Sequence, residues 1–197
     1  WLGLSAQAVT ADMAEALGLA LPEGVLVGAL HAASPLARAG VAQGDVILAL
    51  GGEPVNAPAE LDFRAATLGT GARAEVVFLS RDERRVAEVA LSEAPDEPPR
   101  DQRLLARAGA LTGLVAMRVN PAVIEELGLP VTARGVAVAR VQGPARRSGL
   151  EPGDLILAVN GEAVESPRAL ERAVSRQGEI VLRVQRGDRR GRVRVVN

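Results

Sequence analysis

Cysteine is absent from this 197-residue chain, and so are lysine and tyrosine. Without cysteine there is no disulfide, no thiol nucleophile and no Cys-ligated metal, and the redox compartment stays open. Aromatic residues amount to 2%, so a core drawn from the 48% hydrophobic residues must be aliphatic, built from Val, Leu, Ile and Ala. His31 is the only histidine, and no carboxylate cluster lies near it in sequence. That argues against a metal centre, and neither metal nor cofactor is expected. Neither Gly-x-Ser-Gly-Gly nor Gly-x-Ser-x-Gly occurs, so this segment is expected to hold no catalytic residues. No apolar run approaches the roughly 18 residues of a membrane-crossing helix. No signal-peptide pattern is visible. A start at Trp1, with no Met before it, reads as a fragment or a processed product.

What is present is charge, glycine and repetition. All 23 basic residues are Arg, which reads as coding bias. The net charge of −1 conceals a split: residues 1–92 hold 6 Arg against 11 acids, and residues 111–197 hold 14 Arg against 9. Two halves at −5 and +5 are expected to attract each other or to contact different things.

The halves also repeat each other. Gly3-Leu4, Val9 and Leu17-Gly18-Leu19 recur as Gly113-Leu114, Val119 and Leu127-Gly128-Leu129, at an offset of 110. Ser34-Pro35 through Gly40 answers Gly143-Pro144 through Gly149. Gly44-Asp45-Val46-Ile47 answers Gly153-Asp154-Leu155-Ile156, and Gly52-Glu53-Pro54-Val55 answers Gly161-Glu162-Ala163-Val164. A repeat this long is a whole domain; a solenoid unit runs about 20–45 residues. Two domains are expected, over 1–92 and 111–197. Residues 93–110 open with Pro95, Pro98, Pro99 and five charged or acidic neighbours, and read as an extended, solvated linker.

Within each repeat the signals are local. Thr10 and Asn120 cap short helices, with Pro121 at a first helical position and Gly18 and Gly128 as stops. Residues 24–31 and 45–50 read as strands, the second ending in Gly51-Gly52, matched by Asn160-Gly161. Pro58–Leu68 is the main helix of the first copy. Its counterpart begins at Ser166-Pro167 and closes at Gly178. Each copy ends in a hairpin, 74–79 with 85–91 and 180–185 with 192–196, joined by polar turns at 81–84 and 186–189. The fold class is mainly β with short helices, arranged as small, partly open barrels or sandwiches. Asp45 and Asp154 read as turn and cap residues. The arginines of the last hairpin read as a solvated edge guarding against aggregation, with nucleic-acid binding disfavoured by the lack of aromatic stacking partners.

The run Trp1-Leu2-Gly3-Leu4, Gly24-Val25-Leu26-Val27, Ser34-Pro35, Ala39-Gly40, Gly44-Asp45-Val46-Ile47 and Gly52-Glu53-Pro54-Val55 resembles the PDZ domain of bacterial HtrA/Deg serine proteases. The second repeat resembles it too, so the likeness covers nearly the whole chain. It implies a tandem pair of PDZ domains with permuted strand order, from the C-terminal half of a periplasmic protease of protein quality control. The parent protein resembles a serine endopeptidase whose catalytic domain would lie upstream.

A PDZ groove takes an extended peptide as an added strand, and backbone amides around a glycine grip its terminal carboxylate. By this resemblance Trp1, Leu2, Gly3 and Leu4 form the first carboxylate loop. Ser5, Ala6 and Gln7 form the pairing strand, and Asp62 and Ala65 the facing helix wall. In the second copy the loop is Leu111, Thr112, Gly113 and Leu114, followed by Val115 to Met117, with Glu171 and Val174 on the helix. Thr112 departs from the pattern, because its hydroxyl competes for backbone groups. The first repeat is therefore expected to bind peptide, and the second to bind weakly or serve in docking. The expected partners are C-terminal or unfolded segments, a protease domain of the same chain and, in the full-length protein, further copies in a homo-oligomer, with no nucleic acid and no membrane span in this segment. The competing reading is a PDZ adaptor of a secretion system or an intramembrane protease, with no trypsin-like domain attached.

Overall fold

The computed structural model describes residues 1–81, 83–175 and 178–196. Asp82, in the polar turn read at 81–84, lies outside them. Residue contacts divide the chain into two units, Trp1–Pro95 and Asp96–Asn197.

In the first unit the elements run β1 (Leu4–Ala8), α1 (Ala11–Ala16), β2 (Val25–Leu30), α2 (Pro35–Arg38), β3 (Val46–Leu50), β4 (Glu53–Pro54), α3 (Pro58–Leu68), β5 (Arg73–Ser80) and β6 (Glu83–Ala90). The strands form one antiparallel sheet in the order β1-β2-β3-β5-β6, with β4 attached to β3. The sheet is open, with β1 and β6 at its edges. Alternation sorts the faces. Val25 and Val27 of β2, Ile47 of β3, and Val76 and Phe78 of β5 are buried and meet Leu36 of α2 and Leu61 of α3 in one core. A smaller cluster of Val9, Ala14 and Val46 lies under α1. Thr10 caps α1 as expected, its side chain accepting from the Met13 N–H at 3.3 Å. Helix α3 has no side-chain cap at Ala57. Glu60 instead reaches back to accept from the Asn56 N–H at 2.7 Å.

The second unit holds β7 (Arg103–Leu104), β8 (Leu114–Arg118), α4 (Pro121–Glu126), β9 (Val136–Val141), β10 (Leu155–Val159), β11 (Glu162–Ala163), α5 (Pro167–Val174), β12 (Glu179–Arg186) and β13 (Arg189–Val196). Single 3-10 segments cover Gly109–Leu111 and Gly143–Ser148. The sheet order is β13-β12-β10-β9-β8-β7, with β11 on β10. Its core gathers Leu114, Val136, Val138, Ile156, Leu170, Ile180 and Leu182. Asn120 and Ser166 cap α4 and α5 through the Val123 and Ala169 amides. Both aspartates read as turn residues are that: Asp45 accepts from the Ala42 N–H at 2.8 Å, and Asp154 from the Glu151 N–H at 2.9 Å. Asp154 has a further partner, since Arg186 grips both its oxygens, at 2.6 and 2.8 Å. That ion pair raises the Arg186 guanidinium above its ordinary value, chiefly through the Asp154 hydrogen bond.

The segment 93–110 does not remain a solvated linker. Leu105 and Ala108 are fully buried in the second core, and β7 pairs with β8. The physical reason is composition: prolines and charges crowd its first half, but Leu104, Leu105, Ala106, Ala108 and Ala110 follow. Once Leu105 is offered an aliphatic slot, its burial outweighs the solvation of a two-residue backbone ladder.

Candidate functional site

The first site is built on the loop that feeds β1. Gly3 has φ +64° and is buried, with the Trp1 indole against its Cα. A Cβ at Gly3 would stand 2.6 Å from that ring, so both the turn and the contact require glycine. The indole meets His31 edge to face, with centroids 5.6 Å apart. The Trp1 nitrogen donates to the Ser92 carbonyl at 3.0 Å, and the His31 N–H donates to the Gly3 carbonyl at 2.8 Å. Ser34 completes the loop. Its buried hydroxyl donates to the Leu2 carbonyl at 2.6 Å and accepts from the Leu36 and Ala37 amides at 3.0 and 3.3 Å. With the Leu2 and Gly3 carbonyls held this way, their amides keep no backbone acceptor among the described residues.

Beyond the loop, β1 pairs only with β2 among the described residues, and its other edge carries no strand there. Leu4 and Ala6 are half-buried against the core, while Ser5 and Gln7 are exposed. Ala65 is half-buried and Asp62 exposed on α3. A cavity of about 1000 Å³ lined by Glu15, Leu19, Gly44 and Arg85 shares no residue with this groove.

The second site repeats the loop with different fittings. Gly113 has φ +95°, and a Cβ there would meet the Gln142 carbonyl oxygen at 2.2 Å. Where Ser34 serves the first loop, the second has Gly143, and the Thr112 carbonyl accepts from the Ala145 N–H at 3.0 Å instead. The Thr112 hydroxyl does engage backbone, accepting from the Ala108 N–H at 3.2 Å. Both pairing strands carry an irregularity at matching points, between Ser5 and Ala6 and between Val115 and Ala116.

The edge of β8 is taken. Arg103 stands opposite Ala116 and Leu104 opposite Val115, antiparallel. The Leu105 N–H donates to the Leu114 carbonyl at 2.8 Å, and the Gly113 N–H donates to the Leu105 carbonyl at 2.9 Å. Leu105 enters the core formed by Leu111, Leu114, Leu170 and Val174. Leu104 points out, 51% exposed. Arg103 reaches Glu171 of α5 at 3.6 Å. Burial of Leu105 contributes about 2 kcal/mol. The partly exposed Arg103–Glu171 pair contributes about 1 kcal/mol or less. Leu105 therefore supplies most of the hold. Upstream, the Arg118 N–H donates to the Arg100 carbonyl at 2.7 Å, and the Arg100 side chain bonds to Asp96 and Glu126.

The two grooves differ in cover accordingly. Leu114, Val115, Ala116 and Met117 are all buried, where the matching Leu4, Ser5, Ala6 and Gln7 are half-buried or exposed. Val174 is buried and Ala65 is not. The sequence places the named residues of each unit on a loop, the strand after it and the main helix. It gave no notice of Ser34 as a loop support or of Arg103 and Leu105 as groove residues. The apolar pair Leu104-Leu105 inside a charged stretch is the signal that marks the latter.

Among the described residues, no cluster of His, Cys, Asp or Glu is arranged to hold a metal, and no helix is long and apolar enough to cross a membrane.

Comparison with known proteins agrees with this architecture. A PDZ domain profile matches residues 135–186. A probable periplasmic serine endoprotease DegP-like from Pseudomonas fluorescens is 31% identical over 198 residues, covering 96% of this chain and 41% of its own. A protein of the same description from Rhizobium meliloti is 34% identical over 172 residues, covering 84% of this chain and 33% of its own. The chain thus spans well under half the length of these relatives. Among solved structures, the HtrA-type protease AlgWS227A with decapeptide is 27% identical and covers 50% of this chain and 30% of its own, with a TM-score of 0.46. Two glycine-centred loops, a PDZ match and relatives aligned across both repeats make this chain similar to a tandem PDZ segment of the HtrA-type, DegP-like proteases.

Proposed function

We propose that the first unit captures polypeptide C-termini, or unfolded apolar segments, as a strand added to the outer edge of β1. In this reading the Leu2 and Gly3 amides receive the terminal carboxylate, a last apolar side chain lies against Leu4 and Ala65, and Asp62 faces the residue two positions before it. The observation that carries the reading is the contrast of the two edges: among the described residues β1 is unpaired on its outer side, and the equivalent edge of β8 holds an extended segment antiparallel to it. The captured segment would be handed to a serine protease domain of the same protein, in the periplasm that the relatives' names specify. Assembly into a homo-oligomer belongs to that full-length protein.

A C-terminal peptide library presented to the full 197-residue chain tests this. Peptides with an apolar last residue should bind the first unit. Amidation of the terminal carboxylate, or Gly3→Pro, should weaken binding at least about tenfold. Equal binding of free-acid and amidated peptides, with resonances of Gly3 and Ser5 unmoved, would count decisively against the proposal.

A further inference from the structure

We infer that the groove of the second unit is a peptide site held shut by residues 100–105. Its selectivity is for a C-terminus with an apolar last residue and a cation two residues before it.

The strap occupies the groove in the manner of a guest. It runs antiparallel to β8, with Arg103 opposite Ala116 and Leu104 opposite Val115. Leu105 stands where a last residue would stand: its carbonyl accepts from Gly113, its amide donates to Leu114, and its side chain is fully buried. Arg103, two residues earlier, faces Glu171 across the groove at 3.6 Å. Apolar at the end, outward-facing next, cationic third: the strap spells out what the groove accepts.

The strap is also an imperfect guest. After Leu105 the chain continues into Ala106, so the Gly113 amide receives a neutral carbonyl where a free terminus would bring a carboxylate. Hydrogen bonds to an ionised acceptor are roughly twice as strong. The buried Nε of Arg103 has no hydrogen-bond partner among the described residues. A tail placed without a continuing chain escapes both constraints. While the strap is seated, the apparent affinity for such a tail falls by the fraction of time the groove is vacant, so a groove vacant about 1% of the time binds about 100-fold more weakly.

This inference concerns the second unit and does not rest on peptide capture by the first. Gly113 and Arg118 are its reporters, because the amides of both are bonded to the strap. In isotope-labelled full chain, Arg103→Glu places like charges at Arg103 and Glu171 positions. Hydrogen exchange at Gly113 and Arg118 should then quicken at least about tenfold, with Ile180 and Leu182 of β12 unchanged. The free-acid hexapeptide Arg-Asp-Gln-Arg-Leu-Leu should shift the Gly113 resonance at a concentration at least about tenfold lower in R103E than in the unaltered chain. Its amidated form, or the form with Glu two residues from the end, should not. If R103E lowers protection in β12 as well, Arg103→Ala replaces it and should quicken exchange at Gly113 and Arg118 by about two- to fivefold with β12 unchanged. Unchanged exchange at Gly113 and Arg118, or equal peptide response in variant and unaltered chain, overturns the inference. Failure of Gly3→Pro to affect binding would leave these readings untouched.

Discussion

Replacing Ser34 by alanine removes one oxygen and strands three backbone groups. Ser34 is fully buried. Its hydroxyl caps α2 through the Leu36 and Ala37 amides and holds the Leu2 carbonyl of the first loop. Loss of a cap costs about 0.5–2 kcal/mol. A buried carbonyl left without its donor costs about 1–3 kcal/mol. Together S34A should lower the stability of the first unit by about 1.5–5 kcal/mol, a large part of the 5–15 kcal/mol typical of a domain. For a unit of this size each kcal/mol lost lowers Tm by roughly 4–8 °C. Trp1 is the only tryptophan, so its fluorescence reports this unit in a urea titration. Since the Leu2 carbonyl is freed to rotate, peptide affinity at the first groove should drop with stability, while Ser34→Thr, which keeps the oxygen, should retain most of both. An S34A midpoint within about 0.5 kcal/mol of the unaltered chain, or lost stability with unchanged peptide affinity, would refute the reasoning.

Four further outcomes are expected. Gly113→Ala drives a Cβ into the Gln142 carbonyl at a positive φ and should destabilise the second unit by about 3 kcal/mol or more. Gly128→Ala, also at positive φ but with open space around it, should cost only about 1 kcal/mol, both read by circular dichroism during denaturation. Leu105→Ala should cost the second unit about 2–5 kcal/mol and leave the Trp1 transition in place; a loss below 1 kcal/mol would mean the strap is not part of the core. Asp96 titrates below its ordinary 3.8, first because the Asn120 side chain donates to it and also because Arg100 lies beside it, with desolvation opposing. A folded value below the unfolded one means the contribution is complete above the ordinary value and disappears as pH falls through the lowered one. The Asn120 side-chain amide resonance should therefore hold steady from neutral pH down to about 4 and move only below it, and a midpoint at or above 3.8 would contradict the assignment.

Much of the fold was legible because its signals are local. Helix α3 runs over Pro58–Leu68 as the pattern of Leu61 and Ala65 predicts, and the caps Thr10, Asn120 and Ser166 all accept the expected amides. Hairpin strands begin one to three residues earlier than alternation suggests, since Arg73, Glu83, Glu179 and Arg189 pair across the sheet with their side chains in solvent. The loop glycines were readable from repetition, as position 3 and position 113 recur in the same surroundings. What was hidden is non-local. The bond from Ser34 to Leu2 spans 32 residues and leaves no periodic trace. The segment 93–110 looked soluble because Pro95, Pro98 and Pro99 dominate its start, and only a vacant slot elsewhere gives Leu105 a reason to be buried.

Only seven residues, 106–112, separate Leu105 from Gly113. A ligand on so short a leash never dilutes: its effective concentration is on the order of millimolar or above, however little protein is present. If the groove admits an outside tail, that tail has to win by intrinsic fit or by local abundance, as when many damaged chains accumulate at once. On that reading one duplicated module would answer to a single stray terminus, while its twin would stay silent until such termini are plentiful.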